Sequence, residues 1–438
     1  MTDQPTATKS AAPVLSGAAT WRILGALIVG LALGALTAGS GDGWREPAVQ
    51  AASTIGGMWL DALKMTVVPL IVALLVTGIV AGAEHAEAGG IARRSLIWFV
   101  VILTSSAIFG ALLTPLLLDV APLPADAAEA LRAGLASVDS SAAQGAVPKA
   151  TDLLRSFIPS NVVTAAADGA ILGLVTFSLL FAFAITKLAP ARRRLLGEFF
   201  AAVADALLVV IGWVLWIAPI GVFALAFAVG AGAGAAAFGA VLHYVIIVSL
   251  VGIAVIAMAY LIAIGIGRFR LGQFARAMLP PQAVAISTQS SLASLPAMIV
   301  AAKTLGVKER STDITLPMAV ALFRPTGPAM NIAVAIYVAH WLGIELSVTA
   351  IIAGIVVAAT TTYGAVSLPG QLSFITSIAP ISIAMGLPIE PLAILVAVET
   401  IPDIFRTVGN VTMDVAVTGG VSRGERKPDA DAEAGAGI

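Results

Sequence analysis

Five polar side chains recur at helical spacing near the end of the chain, in the stretch VETIPDIFRTVGNVTMD (398–414). They are Glu399, Asp403, Arg406, Asn410 and Asp414. Their intervals of four, three, four and four residues return to one side of an α-helix. A guanidinium group binds a carboxylate through two parallel hydrogen bonds, and a carboxylate binds an ammonium group. The stretch therefore predicts a helix face that can bind a zwitterion carrying an additional carboxylate.

The rest of the chain is too apolar to cover a surface that faces water. Of its 438 residues, 59% are hydrophobic and 11% are charged, whereas soluble domains have about 25% charged residues. Apolar runs long enough to span a bilayer, about 20 residues each, recur along the chain. The sequence therefore predicts an integral membrane protein. A net charge of −1 offers no basic surface for nucleic acid.

Residue types that serve catalysis or metal binding are scarce. The chain has no cysteine, and its three histidines, His85, His243 and His340, lie far apart. Thiol chemistry and cysteine-ligated metals are excluded, and no Ser/His/Asp or His/Glu pattern stands within reach. We therefore expect no enzymatic activity, no metal centre and no organic cofactor.

Hydrophobic runs and basic residues predict the membrane topology. One span starts near Trp21, and further spans lie near 54–82, 93–118, 162–188, 197–228 and 237–266. Lysine and arginine cluster in the short connections and after the last span, which places these segments inside. We expect both termini in the cytoplasm, an extracellular loop at 119–160, and disordered tails at 1–17 and 419–438.

Two stretches differ from ordinary spans. Residues 280–302 and 360–389 each have a polar centre rich in serine, proline or glycine between apolar arms of about 10–13 residues, which are too short to cross a membrane alone. Irregular backbone cannot face lipid and must lie against protein or a wet cavity. A pair of broken segments of this kind is typical of a transporter's binding site. The alternative is a pair of spanning helices kinked by proline.

Several motifs in sequence order resemble one family, the dicarboxylate/amino acid:cation symporters, which include the glutamate transporters. The resemblance covers most of the chain. It rests on LDALKMTVVPLIVALLVTGIV (60–80), the Ile-Pro-x-Asn segment within 155–185, WIAPIGVFAL (216–225), QSSLASLP (289–296), SLPGQ (367–371) and the polar stretch 398–414, where Glu399 replaces the family's aspartate.

The resemblance implies an all-α fold of eight transmembrane helices and two re-entrant helical hairpins that enter from opposite faces. It also implies a homotrimer in a prokaryotic inner membrane, surrounded by lipid, in which a transport domain moves against a scaffold. Residues 18–118 would hold scaffold and first transport helices, and 161–266 the remaining scaffold and the sixth helix. Residues 267–418 would form the transport core.

The same resemblance assigns roles to individual residues. Arg406 would bind the side-chain carboxylate of aspartate or glutamate, and Asp403 the α-amino group, which favours amino acids over C4-dicarboxylates. The α-carboxylate would be bound by Thr407, Asn410 and the hairpin residues Ser290, Ser291, Ser367, Leu368, Pro369 and Gly370. Because Asp403 and Arg406 are three residues apart, the alternative is an internal salt bridge that only holds helices together.

One segment departs from the family pattern. Where sodium-coupled members have Asn-Met-Asp-Gly-Thr, this chain has Phe-Arg-Pro-Thr-Gly at 323–327, so Pro325 replaces the acid and Arg324 adds a positive charge. Hard cations require oxygen ligands and negative charge. Arg324 would thus act as a tethered cation in place of obligatory sodium. The alternative is that its long side chain extends to a membrane interface.

The departure bears on the driving force. We expect coupling to protons through Asp414, Glu399 or Asp403, or substrate exchange without coupling. Asp414, Thr104 and Ser105 remain at positions similar to sodium-ligand residues, so a sodium-coupled symporter of amino acids or C4-dicarboxylates stays an alternative. A sensor or anion channel on the same scaffold is an alternative of another class, although the retained Asp403, Arg406 and Asn410 argue against it.

Overall fold

The computed structural model describes residues 17–37, 43–87, 89–124, 158–168, 170–234, 236–362 and 370–423, and within them the regular structure is helical, without strands. In the first half of the chain the helices are α1 (Gly17–Thr37), α2 (Arg45–Glu87), α3 (Gly90–Val120), α4 (Val162–Ala167), α5 (Ile171–Thr186), α6 (Pro190–Trp216), α7 (Ala218–Ala233) and α8 (Ala236–Gly265).

In the second half the helices are shorter and come in consecutive pairs. They are α9 (Leu271–Thr288), α10 (Ser291–Thr304), α11 (Glu309–Leu322), α12 (Thr326–Leu342), α13 (Val348–Thr361), α14 (Gly370–Ala384), α15 (Glu390–Leu395) and α16 (Thr400–Arg423). The pairs α11–α12 and α15–α16 are each interrupted by only three or four residues, at 323–325 and 396–399.

Membrane-spanning character is evident from helix length and composition. Within the described residues, five helical segments are long and apolar enough to cross a membrane: Arg45–Glu84, Gly90–Val120, Pro190–Trp216, Phe238–Gly265 and Glu309–Leu342. The segment near 197–228 was expected to be one span, but it consists of two helices, since α6 ends at Trp216 and α7 begins at Ala218. The proline at the start of α7 has no amide hydrogen to donate and suits a helix start.

The first broken stretch contains a helix break, and the described parts of the second include the helices α13 and α14. In the first, α9 and α10 pack against each other across Gln289, whose backbone is left-handed at φ 50°. In the second, α13 packs against α14. Helices α10, α13 and α14 have 14 or 15 residues, or about 21 Å, less than the roughly 30 Å hydrocarbon core. The expected first arm began at residue 280, but α9 starts at Leu271 and continues through two prolines.

Packing separates two sets of helices. In one, α2 packs on α5, α6 and α7, and α1 packs on α7 so closely that a Cβ at Gly34 would stand 2.3 Å from the Phe227 carbonyl oxygen. In the other, α8, α9, α10 and α11 pack around α16. The last helix continues to Arg423, so 419–423 belong to it and not to the expected tail. The remainder of both expected tails and most of the 119–160 loop lie outside the described residues.

Candidate functional site

The polar stripe of the sequence lies on the buried face of α16. Asp403, Thr407, Asn410 and Asp414 are all buried there, and Glu399 is buried in the turn just before the helix. Helix α16 is surrounded by α8, by both arms of the α9–α10 pair and by α11. Charged groups inside a membrane protein are costly, so a buried set of this kind points to a functional site.

Arg406 is bound by three side chains at once. Its Nη2 donates to Glu399 Oε1 at 2.8 Å, its Nη1 donates to Asn331 Oδ1 at 2.8 Å, and its Nε lies 3.6 Å from Asp403 Oδ1. The internal pair with Asp403 therefore exists, but the shorter ion pair is the one with Glu399. Sequence reasoning missed Asn331, although this amide is an isolated side-chain polar group in the apolar run of α12.

Glu399 is almost completely enclosed, with 1% of its surface exposed. Its Oε2 accepts a hydrogen bond from the hydroxyl of Tyr244 on α8, at 3.5 Å. The Tyr244 ring in turn packs edge-to-face on Tyr337 of α12. Glu399 was assigned to ion coupling by the sequence, and the structure places it as a direct partner of the predicted substrate-binding arginine.

Asn410 joins α16 to the break between α11 and α12. The Thr326 N–H donates to Asn410 Oδ1 at 3.0 Å, and the Thr326 hydroxyl lies 2.7 Å from the same oxygen and 3.0 Å from the Arg406 carbonyl oxygen. With its oxygen engaged, Asn410 has its amide NH2 to offer a ligand. The Thr407 hydroxyl donates to the Asp403 carbonyl within the helix, at 2.9 Å, and keeps acceptor capacity only.

The break at 323–325 is held by contacts with α3. The Phe323 ring stacks on Phe99 with centroids 4.4 Å apart, and the Ser106 hydroxyl donates to the Pro325 carbonyl. The expectation for α3 named Thr104 and Ser105, but both are exposed, and Ser106 is the residue that reaches the break.

One arginine and two acids lie near one another beside this break. Arg324 is partly buried and close enough to Asp403 and Asp414 for their charges to interact. Asp414 is fully buried, and neither of its carboxylate oxygens has a hydrogen-bond partner among the described residues. Arg324 is the positive charge that acts on it. The described residues contain no group of three histidines, cysteines or acids that could hold a metal ion.

The turn between α9 and α10, which the sequence predicted to be the first hairpin tip, reaches the same region. Ser290 caps α10 by accepting a hydrogen bond from the Ala293 N–H at 3.2 Å, and Ser291 follows as the first residue of the helix. Gln289 Nε2 donates to the Thr400 carbonyl oxygen at 3.1 Å, which ties the tip to the start of α16. Of the second tip, Ser367, Leu368 and Pro369 lie outside the described residues, and Gly370 is the first residue of α14. Their assigned roles stay predictions.

Comparisons with known proteins point in one direction. A family model described as the sodium:dicarboxylate symporter family matches residues 19–423. The chain is 28% identical to the proton/glutamate-aspartate symporter of Escherichia coli (strain K12) over 93% of each chain. It is 25% identical to a C4-dicarboxylate transport protein of Laribacter hongkongensis (strain HLHK9), over 94% of this chain and 90% of the relative. Identity to the neutral amino acid transporter B(0) of Bos taurus is 28%, over 89% of this chain and 77% of the relative.

Proposed function

Because the chain belongs to the sodium:dicarboxylate symporter family, we propose that it carries aspartate or glutamate across the membrane without sodium. The family and the relatives are transporters of acidic amino acids, dicarboxylates or neutral amino acids, so the chain is a transporter and not an enzyme. The observation that carries the choice of substrate is the pair of opposite charges on one turn of α16, Asp403 and Arg406, whose side chains are only 6% and 13% exposed.

Each member of that pair selects one end of an acidic amino acid. The Arg406 guanidinium has the geometry to bind a carboxylate through two hydrogen bonds, and Asp403 supplies the negative charge that an ammonium group requires. A C4-dicarboxylate has no ammonium, so it would bring a carboxylate against Asp403 without compensation. The NH2 of Asn410, the Ser290 and Ser291 region and the second hairpin tip would receive the α-carboxylate.

Sodium independence is supported by the charges beside the break at 323–325. Pro325 has no side-chain oxygen to offer a cation, and Arg324 already places a positive charge near Asp414. A sodium ion there would meet a fixed like charge, which costs energy in a low-dielectric interior. We propose that the driving force is a proton gradient or substrate exchange.

The assembly and the motion are proposals on the same basis. We propose eight spanning helices and two re-entrant hairpins, in a homotrimer whose transport core, residues 267–418, moves against the rest in an elevator-type cycle. Both termini would face the cytoplasm of a bacterial inner membrane. Support comes from the packing, in which α2 packs on α5, α6 and α7 while α8, α11 and both arms of the α9–α10 pair pack on α16.

A binding titration tests both substrate and ion. Purified protein is titrated with aspartate at zero and at high sodium, with choline holding the ionic strength constant. The aspartate Kd should be the same in both buffers, whereas in a sodium-coupled transporter the two ligands tighten each other's binding. Arg406→Ala and Asp403→Ala should each weaken binding by more than about thirtyfold.

Two results would contradict the proposal in different ways. A large sodium-specific tightening would return the chain to sodium-coupled symport, with Asp414 as a ligand. If both variants bound aspartate as tightly as the wild type does, the substrate assignment would be wrong. Uptake of labelled aspartate into liposomes separates a transporter from a sensor on the same scaffold, because a sensor binds without accumulating.

A further inference from the structure

We propose that Glu399 is the proton-carrying residue of this transporter: it holds Arg406 in the empty site, the substrate's side-chain carboxylate displaces it, and it binds one proton when displaced. The inference rests on the proposed acidic substrate and adds the residue and the reason for proton coupling.

Each nitrogen of the Arg406 guanidinium group faces an oxygen of another side chain. Nη2 is bonded to Glu399, Nη1 to Asn331, and Nε faces Asp403. A carboxylate that binds side-on needs two parallel N–H···O bonds from this group. Glu399 and Asp403 face the edge of the guanidinium group that Nη2 and Nε form. An acidic substrate that binds this edge through two hydrogen bonds takes Nη2 from Glu399, which makes the two carboxylates competitors for one cation.

The surroundings of Glu399 decide what happens after displacement. The titratable and charged groups that act on it are Arg406, Asp403 and the Tyr244 hydroxyl. Once Arg406 turns to the substrate, the neighbours left to Glu399 are an acid and a neutral phenol. A buried carboxylate without a cation is expensive to keep charged, and it is neutralised by binding a proton.

Charge balance across the whole site gives the same stoichiometry. The site contains three carboxylates, those of Glu399, Asp403 and Asp414, and two guanidinium groups, those of Arg324 and Arg406, so its net charge is one negative when all five groups are ionised. Aspartate or glutamate adds another. One proton on Glu399 restores the original charge of the site.

The proton comes from water on the side where the site is open, when the substrate's carboxylate forms its bonds to Arg406. It returns to water on the other side when the substrate leaves and the pair of Glu399 with Arg406 forms again. One proton is therefore carried with each acidic substrate.

The test is the pH dependence of aspartate binding by the full-length protein, measured between pH 5.5 and 8. If one proton is bound with each substrate, the wild-type Kd rises by up to about tenfold per pH unit. Glu399→Gln keeps the shape of the side chain and removes its charge, so its Kd should not change with pH. The matched control is Glu390→Gln, which neutralises another enclosed glutamate, paired with Lys64 outside the site and should keep the wild-type slope.

Flux provides the second readout. In liposomes, an inward proton gradient should drive the wild type to accumulate labelled aspartate. Glu399→Gln should not accumulate aspartate under this gradient, whereas Glu390→Gln should accumulate it as the wild type does. Glu399→Asp keeps the carboxylate on a shorter side chain, so its Kd for aspartate should still depend on pH. This variant provides the test if Glu399→Gln folds poorly.

The outcomes separate this inference from the proposed function. Aspartate binding by the wild type without a pH slope, or an unchanged slope in Glu399→Gln, would overturn the role of Glu399 and leave the acidic substrate in place. Loss of the slope in Glu390→Gln as well would assign the effect to general structural damage and would also overturn it. If the protein bound serine or alanine but not aspartate, both the acidic substrate and the proton-carrying role of Glu399 would be wrong, because Glu399 would then neutralise Arg406 permanently.

Discussion

Removing Arg406 should destabilise the empty protein as well as abolish binding. Arg406→Ala leaves Glu399 without its cation and leaves Asp403 with Arg324 as its nearby positive charge. The side chains of Glu399 and Asp403 are only 1% and 6% exposed. Breaking a buried ion pair by deleting one partner costs about 3–5 kcal/mol. Asn331 loses its hydrogen bond in addition, which costs about 1–3 kcal/mol when a buried acceptor stays unsatisfied.

A double-mutant cycle isolates the pair of Arg406 with Glu399. Glu399→Gln in the Arg406→Ala background removes the orphaned charge, so the double variant should be more stable than Arg406→Ala alone, with a coupling of about 2–3 kcal/mol. Unfolding by SDS titration in mixed micelles, followed by tryptophan fluorescence, measures the free energies. Stability should return in the double variant, and aspartate binding should not.

A surface pair provides the control for this cycle. Lys303 and Glu309 are also 2.8 Å apart, but their side chains are 49% and 73% exposed. A cycle on this pair should give no measurable coupling, because solvent screens exposed charges. Additive effects of Arg406→Ala and Glu399→Gln, indistinguishable from the control, would refute the reasoning that the ion pair is buried and strong in the empty site.

Two further perturbations test the packing around the site. Gly110→Ala places a Cβ 2.4 Å from the Ala329 carbonyl oxygen, so it should push α3 away from α12 and lower the stability. In the control variant Gly57→Ala the new Cβ meets nothing within 4 Å, so the stability should not change. Equal thermal stability of the two variants would contradict the close contact at Gly110. Lys64→Met removes the cation that lies 2.7 Å from Glu390 and joins α2 to α15. It should destabilise the protein less than Arg406→Ala in the same SDS titration, since Lys64 is partly exposed, and an equal loss would contradict that ranking.

The part of the site that sequence could predict is the part that one helix contains. The spacing of Asp403, Arg406, Asn410 and Asp414 fits a period of 3.6 residues, and α16 buries Asp403, Asn410 and Asp414 and partly buries Arg406. Glu399 extends the same spacing but lies in the turn before α16, which lets its carboxylate reach Arg406 seven residues later. Local periodicity thus identified the residues and not their pairing.

The partners of these residues were missed because they are distant in sequence. Asn331 bonds a residue 75 positions away, Tyr244 one 155 away, and Ser106 one 219 away. Nothing in an apolar helix indicates which partner its isolated polar residue will meet, since that depends on how helices pack. Hydrophobic composition also did not predict the helix boundary at Trp216, because apolar residues continue from the end of α6 into the start of α7.

The two arginines divide the charges of the site into separable halves. Arg324, on the break between α11 and α12, acts on Asp414, and Arg406 on α16 is paired with Glu399. Sodium would act on the pair of Arg324 with Asp414, and protons would act on the pair of Arg406 with Glu399. Arg324→Met should therefore change the effect of sodium on aspartate binding and leave the pH slope intact, while Glu399→Gln should do the reverse.

Asp403 interacts with both arginines, so only Asp403→Asn should disturb the two responses together. Binding titrations over sodium and pH for the three variants decide the matter, and a common change in Arg324→Met and Glu399→Gln would show that the halves act as one unit.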